Sequence, residues 1–317
     1  MIEELIKKLE EIIKEYVILN DIDCMEELSF IKRINDIVLN NCNYDYDVKY
    51  RKKYSLNQID KIVCDFLKEF DYDYYLYYQL RKNDGTIVFD RENKDSIPYS
   101  EYDYFSKKRT IYIPLKKTLE DAFSVIHELN HDRNIYELYV NDTRMIFTES
   151  LSILLELLFE DFLRDKKIID YKVNNNYSLS AINYKSLYID FVYKLINLYI
   201  NNYKINYTDL LGIIKKYDNN QRKDLNDILS SIMEDEGVDI DFEFRYVLGV
   251  LIATYLYNRI KKNKKNVQEV FEMNDIINDY DYLQIFDYLD LEYEDDGLSN
   301  NAYETLKNNY KIYVKHR

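Results

Sequence analysis

Residues 127–131 of this chain read His-Glu-Leu-Asn-His, and the segment that holds them has one conformation open to it if the histidines are to act together. On an α-helix, residues i and i+4 lie one above the other on the same face, so His127 and His131 can turn both imidazoles toward a single metal ion. On a strand they would stand far apart. Glu128, next to the first histidine, is placed to work on a water molecule rather than to bind the ion. The chain has three histidines in all, and the third, His316, lies near the C-terminus. With histidine so scarce, an accidental HExxH is expected on the order of a few times per thousand chains of this composition.

The flanks support a helix. Thr118 and Asp121 form a Thr-x-x-Asp variant of the capping box, which starts a helix about two turns before His127. Ala122, Val125, Ile126 and Leu129 then recur at helical spacing. Just upstream, residues 110–115 read as a short strand, with Ile111, Tyr112 and Ile113 as the residues expected to pair with an extended substrate along a sheet edge.

A metal ion that activates water takes three protein ligands and leaves a position open. No histidine remains nearby, so the third ligand is expected to be a carboxylate. Glu137, six residues after His131, would point away from the ion on a continued helix, although Asn134 could turn the chain through a left-handed conformation. Glu149 is favoured. It opens a strongly apolar helical segment in which Glu149, Ser152 and Glu156 fall at i, i+3 and i+7, on one face. Ser152 and Glu156 are expected to orient the histidines rather than to bind metal.

Residues 115–131 followed by 147–156 resemble the active-site region of the oligoendopeptidase F and thimet oligopeptidase family of zinc metallopeptidases. In that family an HExxH helix precedes a Glu-x-x-Ser-x-x-x-Glu pattern whose first glutamate binds zinc, matched here by Glu149, Ser152 and Glu156. Residues 242–249 resemble the family's tyrosine-rich run ending in glycine, which aligns Tyr246 with a tyrosine that hydrogen-bonds the oxyanion. The resemblance spans roughly residues 70 to 260. It implies a zincin-like, gluzincin catalytic unit with one Zn²⁺ per chain, Glu128 as general base, and hydrolysis of peptide bonds in oligopeptides. Three departures stand out. Asn130 replaces a glycine, the link from His131 to Glu149 is shorter, and the region around Gly237 lacks the family's upstream histidine and tyrosine. A regulatory protease with a single target, or a peptide-binding protein without catalysis, are the alternative readings.

The rest of the chain predicts a mainly α, α+β fold: a helical bundle with one small sheet before the HExxH helix. Helical periodicity runs through 1–19, 22–39 and 56–70, then 179–202, 205–217, 222–235, 241–263 and 298–314. Tyrosine-rich residues 74–80, a turn at Asn83, Asp84 and Gly85, and residues 86–90 predict a β-hairpin. Residues 1–70 are read as a helical segment packed on a catalytic domain of 71–317, or the whole as one continuous domain. A net charge of −15 argues against nucleic acid or an anionic membrane as partner. The longest apolar run, 246–257, is too short to span a bilayer. Cys24, Cys42 and Cys64 are odd in number and lack metal spacing, which predicts free thiols and a cytoplasmic setting. A peptide substrate is the expected partner, with a homodimer as a possible assembly.

Overall fold

The structure, a computed structural model, describes residues 2–19, 31–32, 35–36, 52–94, 96–103, 105–134, 142–169, 177–235 and 237–262. The expected helix at 22–39 lies largely outside these residues, and that at 298–314 wholly outside. Mainly helical architecture with one small sheet is what the chain adopts. It divides into two compact units, Met1–Asp45 with Leu179–Leu248, and Tyr46–Ser178 with Gly249–Arg317.

The first unit is helical among its described residues. It contains α1 (Ile2–Leu19), which buries Leu9 and Ile13 on one face. Later in the chain come α6 (Tyr177–Asn202), α7 (Tyr207–Ile214) and α8 (Asn219–Asp235). Asn206 caps α7 through its side-chain oxygen, and Lys8 donates to the Met233 carbonyl (2.9 Å) to tie α1 to α8. Helix α9 (Ile240–Lys262) belongs to this unit through Leu248 and to the other from Gly249.

The second unit is built from α2 (Leu56–Phe70), α3 (Tyr72–Asn83), β1 (Ile87–Asp90), β2 (Tyr99–Asp103), β3 (Lys108–Pro114), α4 (Leu119–Asn134) and α5 (Asp142–Asp165). Ser55 and Gln58 close a reciprocal capping box at the start of α2. Asp71 then serves two helices. Its N–H bonds Leu67 O at the end of α2, and its carboxylate accepts from the N–H groups of Asp73 and Tyr74 at the start of α3.

Residues 74–80 therefore form a helix, not the first strand of a hairpin. Burial shows why. A strand would send Tyr74, Leu76, Tyr78 and Leu80 to one side, whereas Tyr74 and Tyr78 are buried and Leu76 and Leu80 are half exposed. The tyrosines' preference for strands gives way to a cap and a core that accepts every fourth residue. The turn predicted at Asn83, Asp84 and Gly85 ends this helix instead, with Gly85 at a φ of +79°.

In the sheet the order is β1-β3-β2. β1 pairs with β3 in parallel, Ile87 opposite Ile111, and β2 pairs with β3 antiparallel, Ser100 opposite Ile111. One face of β3 buries Ile111 and Ile113 completely in a core shared with α2, α3, α4 and α5. Phe66, Phe123, Phe159 and Phe162 form its aromatic centre, with edge-to-face contacts from Phe159 to Phe66 at 5.0 Å and to Phe123 at 4.8 Å. Helix α5 buries side chains around nearly its whole circumference between residues 147 and 163.

Candidate metal centre

Helix α4 starts where the capping signal places it, with an added device. Thr118 Oγ1 accepts from Glu120 N, and the Asp121 carboxylate reaches back to the N–H groups of Lys116 (3.0 Å) and Lys117 (2.7 Å). Lys117 has a φ of +59°, so this carboxylate holds a strained turn that leads from β3 into α4. Ala122, Val125, Ile126 and Leu129 are buried, and the two histidines emerge on another face, half-buried.

Helical spacing brings the histidines together. Their Nε2 atoms are 2.9 Å apart and their ring centroids 4.7 Å apart. Glu149 comes from α5, with Oε2 3.2 Å from His131 Nε2 and Oε1 3.5 Å from His127 Nε2. One donor atom from each of His127, His131 and Glu149 lies within 4.8 Å of the others, so this group could hold a metal ion. The competing candidate, Glu137, lies outside the described residues.

Ser152 and Glu156 stand behind His127, His131 and Glu149. Glu156 Oε1 is 2.7 Å from His127 Nδ1, which leaves Nε2 of that ring turned toward Glu149. Ser152 Oγ donates to the His127 carbonyl (3.2 Å) and accepts from Asn130 Nδ2 (2.9 Å). Asn130 is itself fully buried; it donates also to Thr148 O (3.2 Å) and accepts from the Tyr74 hydroxyl (2.9 Å). Asp132, also fully buried, accepts from Tyr77 OH (2.7 Å), Arg81 Nε (2.8 Å) and Arg109 Nη1 (3.2 Å). Behind Glu149 stands Gly249 of α9: a Cβ there would lie 3.3 Å from Glu149 Cγ.

The electrostatics favour a cation. Glu128, Glu149 and Glu156 are buried carboxylates. Among the described residues no lysine or arginine pairs with Glu128 or Glu149, and the Glu128 carboxylate has no hydrogen-bond partner. Burial opposes charge on both His127 and Glu149, yet their attraction prevails. Glu149, with Glu156, holds His127 protonated well above the usual histidine range. His127 and His131 in turn hold Glu149 below the usual carboxylate range.

Two sequence expectations fare differently. Ile111, Tyr112 and Ile113 are not at a sheet edge: β3 is the central strand, its backbone paired on both sides. Ile111 and Ile113 point into the core. Tyr112 faces the other way, stacked on Tyr99 (centroids 4.9 Å apart), in an open pocket of about 590 Å³ with Asp90 and Ser96. β1 returns parallel to β3 and takes the edge that sequence order alone left open. Among the described residues β1 and β2 are the edges of the sheet, and β2 is tied to α4, Ser100 Oγ donating to the Glu128 carbonyl (2.7 Å). Tyr246 belongs to the first unit, where the Lys185 ammonium lies 3.8 Å from its ring centroid.

No sequence pattern pointed to the contact of Tyr74 with this group. The departure from glycine marked Asn130, and the resemblance of residues 242–249 marked Gly249, without showing what either one touches.

No family model matches the chain, and no curated protein matches it in sequence. In fold it is similar to a crystal structure described as that of a "putative peptidase from Chlamydophila abortus", with a TM-score of 0.57 at 16% identity. The likeness covers 99% of this chain and 56% of the other, so this chain spans little more than half the length of that structure.

Proposed function

We propose that this protein is a zinc-dependent metallopeptidase that hydrolyses peptide bonds in oligopeptides. The observation that carries the reading is the convergence of His127, His131 and Glu149 beside a buried Glu128 that has no partner among the described residues. Two imidazoles and a carboxylate are a donor set suited to zinc with one position left open. The structural neighbour, described as a "putative peptidase", supports the same reading.

His127, His131 and Glu149 would hold the ion. When bound, zinc supplies Lewis acidity, which polarises a peptide carbonyl and makes water acidic enough to act near neutral pH. Glu128 takes the proton from water as the water adds to the carbonyl carbon, then returns it to the departing amine nitrogen. Glu156 holds His127 by Nδ1, and Ser152 holds the same residue by its carbonyl. An extended substrate would pair with the outer side of β2, giving affinity through backbone hydrogen bonds. Tyr246 is proposed as a donor to the oxyanion on the resemblance of its run alone.

Peptide-library cleavage read by mass spectrometry, comparing wild type with Glu128→Gln, tests the proposal. Cuts made only by the wild type are expected. Zinc-loaded wild type that makes none would move the reading to a protease with one dedicated target or to a peptide-binding protein.

A further inference from the structure

Asn130 lies between the two histidines in sequence, at the position where the resembled family carries glycine, and its side chain joins three helices. Nδ2 donates to Thr148 O and Ser152 Oγ on α5, while Oδ1 accepts from Tyr74 OH on α3. Asn130 is fully buried, and so is Ser152; Tyr74 is 2% exposed. From Ser152 the chain of bonds runs on to the carbonyl of His127. Thr148 is the neighbour in sequence of Glu149. One amide therefore reaches the backbone beside the carboxylate ligand and, through one hydroxyl, the backbone of a histidine ligand.

From this geometry we infer that Asn130 is a positioning residue for the metal ligands, acting through Ser152, with Tyr74 of α3 as its anchor. The inference rests on the metal-site reading above and adds to it how the two helices are held in register. A glycine at 130 would let α4 and α5 slide along each other. The amide selects one height, because its two donors need Thr148 O and Ser152 Oγ at once, one turn apart on α5. Buried polar groups of this kind specify a single arrangement when their partners are all in place. Tyr74 then fixes the amide's orientation, since its hydroxyl donates to Oδ1 and so leaves Nδ2 turned toward α5. The tyrosine-rich segment 72–83 is thus the element that braces the metal helix, and this requires it to be helical. Tyr77, one turn on from Tyr74, is a built-in comparison. Its hydroxyl meets Asp132, on the other side of His131, but that carboxylate also has Arg81 and Arg109.

The test uses the full-length protein and measures zinc affinity by competition with a chromophoric chelator, the visible spectrum of the Co²⁺-substituted form, and the melting temperature without metal. Asn130→Ala and Tyr74→Phe should each weaken zinc binding, by about tenfold or more for Asn130→Ala, and should alter the Co²⁺ bands. Tyr77→Phe should leave both near wild type. Because Asn130 acts through Ser152, the Asn130→Ala, Ser152→Ala double variant should bind zinc about as weakly as the worse single variant rather than by the product of the two losses. Tyr74→Phe removes one hydroxyl and keeps the packing, so it reports even if Asn130→Ala folds poorly. Wild-type zinc affinity and Co²⁺ spectrum in Asn130→Ala and Tyr74→Phe, with only the melting temperature lowered, would overturn the inference and leave the metal site standing. A multiplicative double variant would also overturn it. Wild-type protein that takes up no zinc would overturn the metal-site reading and this inference together.

Discussion

Replacing Gly249 by alanine adds one methyl group directly behind Glu149, the carboxylate proposed to bind zinc. The new Cβ would lie 3.3 Å from Glu149 Cγ, 3.5 Å from Glu149 Cβ and 3.5 Å from Ser150 N. Carbon atoms rest at about 3.5–4.0 Å, so something must move by roughly 0.2–0.7 Å. Glu149 is poorly placed to yield, because it is buried and faces both histidines. Overpacking of this kind costs about 1–3 kcal/mol. Alanine in a helix interior recovers about 0.5–1 kcal/mol relative to glycine. The net loss of metal-free stability is therefore small, about 0–2.5 kcal/mol, and at about 2–4 °C per kcal/mol the melting point falls by at most some 10 °C. Zinc binding is less forgiving, since ligand distances are held to about 0.2 Å. We expect Gly249→Ala to weaken zinc about tenfold, removing about 1.4 kcal/mol of zinc-induced stabilisation. Thermal melts with and without zinc, together with chelator competition, measure both quantities. A variant that melts higher than wild type and binds zinc equally well would show that Glu149 has room to move, and the reasoning would fail.

Glu128→Gln should reduce peptide cleavage by about 10²–10⁴-fold while leaving zinc content unchanged, which metal analysis of the purified variant checks. Glu156→Gln should weaken zinc about 10–100-fold, because His127 Nδ1 loses its charged partner at 2.7 Å; unchanged affinity in a chelator titration would contradict that role. The metal-free protein should be most stable in mildly acidic solution. His127 is raised above 6.5, so its contribution is complete below that pH and is lost as pH climbs through its folded value. Glu149 is lowered below 4.5, so its contribution is complete above that pH and is lost as pH falls. Urea denaturation of chelator-treated protein at pH 5.5 and pH 8.5 should give the lower midpoint at pH 8.5, and equal midpoints would argue against the buried pair.

What the sequence determined by itself is what depends on near neighbours along the chain. His127 and His131 share a face because helical spacing puts them there, and Glu149, Ser152 and Glu156 share one for the same reason. The start of α4 was legible from Thr118 and Asp121, since caps are bonds within a few residues. No helix among the described residues is long and apolar enough to cross a membrane, in line with the length of the apolar runs. Tertiary structure decided the rest. Tyr74 and Tyr78 have strand-like chemistry, but a core that accepts every fourth residue and the Asp71 cap made them helical. β3 looked like an edge until β1 paired with it from 24 residues away, Ile87 to Ile111, a contact that no local pattern announces. Asn130 shows the limit most clearly. Tyr74, Thr148 and Ser152, which its amide meets, lie on two other helices, up to 56 residues away, and an amide's role is set by whichever groups the fold brings within hydrogen-bond reach of it.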